Sequence, residues 1–191
     1  MPQIIDYADV LERLTNRGLV SLYHNSGAFG FPPVAKTQAV GWTGPDDQTL
    51  RPAARNIAVQ IPPPYESNLA ALLVRFWREQ FGDAVAWVMP MSHWSYELDF
   101  GSAVWMPQLL REIGLEPEML RPRNNGSAIE FQSTETPAFE TCVRRLLESL
   151  SMSDFAVVFP GKPVVCTVHH HKQLWWVTTD ERLANALRIT H

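Results

Sequence analysis

The stretch HWSYELD, residues 93–99, alternates strictly between apolar and polar side chains. On a strand, Trp94, Tyr96 and Leu98 point one way, and His93, Ser95, Glu97 and Asp99 the other. Same-face neighbours on a strand stand about 6.5–7 Å apart. That is too far for a direct hydrogen bond and near enough to converge on one ligand. A histidine with two carboxylates has the donors to bind a divalent transition metal, or to do acid–base work with Glu97 or Asp99 as the base. A half-wet antiparallel sheet presents the same residue types to water, and this plainer reading is preferred.

A second cluster closes VVCTVHHH, residues 164–171. His169 and His171 share a face with Thr167, while His170 falls with Cys166. Two histidines spaced by two on a strand can ligate one zinc ion. A third ligand would come from His93 or Glu97, provided the two strands are neighbours. The competing reading is a polar strand end running into a turn at Lys172. No HExxH metalloprotease motif, GxSxG elbow or phosphate-loop spacing occurs. HNSGAFGFPP (24–33) is a loop pinned by Phe29 and Phe31. Cys142 and Cys166 fall in apolar patterns and read as buried hydrophobes.

The elements that must position these groups are well marked. A helix starts at Asp6 and stops at Gly18. A second carries Leu69, Leu72, Leu73, Phe76, Trp77 and Phe81 at 3.6-residue spacing, with Ser67 as its expected cap. DAVAWVM (83–89) and DFAVVFP (154–160) are apolar throughout, as strands buried on both faces are. A third helix is expected from about Met106. EMLRPRNNGSAIEF (118–131) reads as a hairpin around Asn125-Gly126. A fourth helix starts at Thr136, with Pro137 in its first turn. Residues 164–171 and 174–179 form a hairpin around Lys172-Gln173. A last helix opens from a capping box at Thr178 and Glu181. Trp175 and Trp176 are adjacent on one strand, so one enters the core and the other marks the opposite face.

The order helix, strand, strand, helix occurs twice, over 65–115 and 135–190, with a weak match between 74–90 and 143–160. The fold class expected is α+β: one domain over 1–191, with a mixed, largely antiparallel sheet of about six strands and helices mainly on one face. A three-layer α/β arrangement is the alternative.

Composition narrows the function. With 16 basic and 20 acidic residues the net charge is −4, and no basic run is present; a nucleic-acid partner is not expected. No long apolar run suggests a membrane span. The N-terminus lacks a secretory pattern, so the cytoplasm is the expected compartment. Two functions fit. The preferred one is a non-catalytic binding or interaction domain, whose partner is a protein, a small molecule or a second copy of the chain. The other is a metal-dependent or acid–base enzyme acting on a small molecule, with His93, His169 and His171 as ligands and Glu97 or Asp99 as base.

Overall fold

The computed structural model describes residues 1–15, 19–21, 23–24, 27–28, 41–42, 51–52, 55–60, 62–90, 105–120, 127–149, 154–169 and 171–189. The HWSYELD stretch, the loop at 29–33 and the Asn125-Gly126 turn lie outside these residues, and with them His93, Glu97 and Asp99.

The fold is α+β. Seven strands form one sheet: β1 (Gln3–Ile5), β7 (Arg55–Gln60), β8 (Ala86–Pro90), β9 (Ala128–Phe131), β10 (Phe155–Val158), β11 (Val164–His169) and β12 (Gln173–Thr178). Their spatial order is β1-β9-β8-β10-β11-β12-β7. Every pairing among the described residues is antiparallel, which fits the α+β expectation and not the parallel sheet of an α/β fold. Short strands β2 (Leu19–Ser21), β3 (Tyr23–His24), β4 (Gly27–Ala28), β5 (Gly41–Trp42) and β6 (Arg51–Pro52) pair among themselves.

The central strands are the two apolar runs. In β8 the residues Ala86, Trp87, Val88 and Met89 are all buried, and β10 is buried throughout. One sheet face lies under α2 (Tyr65–Phe81), α3 (Trp105–Glu112), α5 (Thr136–Ser149) and α6 (Glu181–Ile189); α4 (Pro117–Leu120) is a single turn. The helical stripes expected from spacing are the buried ones: Leu69, Leu73, Phe76 and Trp77 on α2, and Phe139, Cys142, Val143, Leu146 and Leu147 on α5. An aromatic seam joins them to the sheet. Phe76 lies 4.4 Å from Trp176, and Trp77 lies 5.0 Å from Phe139, ring centre to ring centre. Burying each such side chain stabilises the fold by about 1.5–3 kcal/mol. The opposite face is covered at its β1 end by α1 (Tyr7–Thr15). Val10 and Leu14 there pack with Ile5, Trp87, Met89, Ala156 and Val158.

Four local expectations change. Helix α2 begins at Tyr65, two residues before Ser67, with Pro64 in the capping position and no side-chain cap. The fixed φ of proline suits a helix entry, and Asn68 Nδ2 donates to the Pro62 carbonyl at 3.0 Å. Helix α6 is capped by Asp180, whose Oδ1 accepts from the Arg182 amide at 2.8 Å. Thr178 is still in the sheet there, paired with Val164 and Arg55. Residues 118–120, expected in the first arm of a hairpin, are helical, and β9 pairs with β1 and β8. In the last hairpin Gln173 is already in the strand, paired to His169, and not in the turn.

Beyond the central β8–β10 seam, the sheet has β9 and β1 on one side and β11, β12 and β7 on the other. Helices α2 and α5 lie side by side over the seam. Buried positions on the two helices correspond at an offset of 70: Leu69 with Phe139, Leu73 with Val143, Phe76 with Leu146, Trp77 with Leu147. The sequence match aligns Val74 with Val143, an offset of one less, which sets a partly buried residue against a buried one.

Candidate functional site

The histidine pair sits where β11 turns into β12. The strands stay in register through His169–Gln173, and the three turn residues are reversed by Lys172 at φ 62°. The Lys172 amide donates to the His169 carbonyl at 2.9 Å. A three-residue hairpin loop of this kind needs its third residue in the left-handed region, where glycine is the usual choice.

Alternation along β11 and β12 then decides which side chains face which way. Cys166, Val168, Leu174 and Trp176 enter the helix-covered core; Thr167, His169, Gln173 and Trp175 take the other face. Trp176 is fully buried, and Trp175 is the half-buried partner on the outer side. Trp175 stacks on the His169 ring, with centres 4.4 Å apart and planes 14° from parallel. Its indole N–H donates to Gln173 Oε1 at 3.0 Å.

His169 is only 6% exposed, and its ring nitrogens are assigned by their neighbours. The His171 amide donates to Nδ1 at 3.1 Å. In the neutral ring the proton therefore sits on Nε2, which faces Asp154 Oδ2 at 3.8 Å. In that tautomer the ring has no spare lone pair. It cannot serve as a general base, and it can ligate a metal only by giving up the amide hydrogen bond. The His171 ring stands 4.7 Å from that of His169, centre to centre, so the turn does bring the two imidazoles together.

His93 lies outside the described residues, and the described strand that precedes it, β8, ends at Pro90. β11 has β10 on one edge and β12 on the other along its length. β8 does leave the sheet at the same end: Pro90 is opposite Phe155, which is opposite Val168. Among the described residues no group of three His, Cys, Asp or Glu side chains is placed to hold a metal ion.

Lys172 fastens the turn from behind. Its Nζ donates to the Leu147 carbonyl at 2.5 Å and lies 3.1 Å from Glu66 Oε1. A backbone amide hydrogen bond, and then the Lys172 ammonium, hold the Glu66 carboxyl below the usual glutamate range; partial burial opposes them.

Two other groups matter. Burial pushes the Cys142 and Cys166 thiols up, Cys166 far up, so neither forms a thiolate nucleophile near neutral pH. Glu130, not singled out by sequence, is a carboxylate 4% exposed on the outer face near the β1 edge. Oε1 accepts from Gln3 at 2.5 Å and Gln132 at 3.2 Å; Oε2 accepts from the Trp87 indole at 2.8 Å and Arg13 at 3.2 Å. Four donors satisfy it and tie β1 and α1 to the sheet, so it acts as a structural anchor. The one signal for it is a lone acid inside the apolar run AIEF.

Comparison with known proteins finds no family model, no curated protein and no solved structure that matches the chain. The functional argument therefore rests on the site alone.

Proposed function

We propose that the chain is a non-catalytic binding or interaction domain, with the outer face of β11 and β12 around Trp175 as its contact surface. The supporting observation is the state of His169. Its ring is buried, stacked and hydrogen-bonded through Nδ1 to the backbone of its own turn, which is how a structural histidine is held. Beside it, Thr167, Gln173, Trp175 and Val177 are half-buried. A tryptophan with one flat side against a histidine and an apolar and amide-bearing surround suits a protein or small-molecule partner. A nucleic-acid partner is disfavoured by the net charge of −4. Among the described residues no helix is long and apolar enough to cross a membrane.

The metal-dependent or acid–base enzyme is the second reading, favoured by the 4.7 Å approach of the His169 and His171 rings. In it, His93 joins these two as a metal ligand and Glu97 or Asp99 is the base. Metal analysis of untagged protein, purified without chelator, separates the two. The binding reading expects no stoichiometric metal. One equivalent of zinc, manganese or iron, lost together in His169→Ala and His93→Ala, would reverse the ranking.

A further inference from the structure

We propose that Lys172, Glu66 and the Leu147 carbonyl form an acid-sensitive clasp that holds the tip of the β11–β12 hairpin against the ends of α2 and α5. The inference stands apart from the functional reading above, because it concerns what fixes the tip and not what the tip binds.

Three features converge on it. Lys172 adopts φ 62° where glycine is the usual residue, so the turn itself gives no reason for a lysine. Its ammonium reaches two helix ends at once. The Leu147 carbonyl is among the last four of α5, which have no partner inside the helix. Glu66 lies in the first turn of α2, where a carboxylate is favoured by the helix dipole. A cation at one helix's C-terminal end and an anion at the other's N-terminal end are thus joined through one side chain of the hairpin.

Protonating Glu66 removes the anion. Because its carboxyl is held below the usual range in the folded chain, the contact contributes above the unfolded value and is lost as pH falls through the lowered folded one. The other titratable groups around the tip are His169 and His171 on the hairpin and Asp154 leading into β10. On α5, Glu148 is held by Arg144 and Arg145.

The test is native-state amide exchange, read as protection factors at 171–174 against Cys166 and Trp176 in mid-strand. Glu66→Gln should lower tip protection about two- to fivefold, the size of a partly exposed ion pair. Lys172→Met should lower it about tenfold or more, since a charge-assisted hydrogen bond also goes. Mid-strand protection should not change in Glu66→Gln. In the natural chain, tip protection should fall as pH drops below the ordinary glutamate range, and Glu66→Gln should lack that step. His171→Gln should retain the carboxylate step. Tip protection in Glu66→Gln equal to that of the natural chain, or an unchanged acid step in that variant, would overturn the clasp.

Discussion

Truncating Glu130 to alanine should destabilise the fold by about 3 kcal/mol, and the size follows from who is left behind. Gln3 and Gln132 are exposed, so their amides return to water at little cost. The Arg13 side chain is 45% exposed, which makes its share of the pair about 1 kcal/mol or less. Trp87 is different: it is fully buried, and its indole N–H would lose its acceptor inside the sheet face. An orphaned buried donor costs about 1–3 kcal/mol. The cavity left by the acid side chain adds roughly another 1 kcal/mol. Glu130→Gln keeps one carbonyl acceptor and should cost about half as much. Urea denaturation measures all of these, and a double-mutant cycle with Trp87→Phe isolates the indole contact. Removing the donor as well should recover about 1–2 kcal/mol as coupling. A Glu130→Ala loss under about 0.5 kcal/mol, or strict additivity with Trp87→Phe, would refute the anchor argument.

Three further outcomes are expected. Trp176→Phe should cost only about 1–2 kcal/mol by denaturation, because its indole nitrogen has no hydrogen-bond partner among the described residues and only ring volume is lost. Gly82→Ala should destabilise by about 1 kcal/mol at the α2 terminus, since Gly82 sits at φ 53° although nothing lies within 4 Å of an added Cβ. Cys142 and Cys166 should resist a thiol reagent in the folded chain near neutral pH and react on unfolding, with labelling followed by mass spectrometry.

Elements with strong periodicity were legible in the sequence. The α2 and α5 stripes, the doubly buried β8 and β10, and the opposed Trp175 and Trp176 each follow from local spacing, because one period admits one buried face. Pairing across the sheet was not legible. β1 is three residues long and joins β9 from the far end of the chain, and no local pattern announces such a contact. Capping failed where the sheet competed: Thr178 has the right type and spacing, yet its backbone is held by two strands. The histidine site was half legible. Spacing brought His169 and His171 together, but it could not show that a backbone amide occupies Nδ1. Glu130 was not singled out, since burial of a charge depends on donors gathered from β1, α1, β8 and the residue just beyond its own strand.

The order of strands has a consequence for how the chain must assemble. Both rims of the sheet, β1 and β7, come from the N-terminal third, while the strands they close on, β9 and β12, are made much later. A chain emerging from the ribosome therefore carries its borders before its interior. β1 cannot dock until β9 exists, and β7 cannot until the C-terminal hairpin does, so vectorial folding gains little, and loop closure over long separations must come first. A truncation that removes β12 would leave β7 unclaimed and the flank of β11 bare, a template for sticking to another chain.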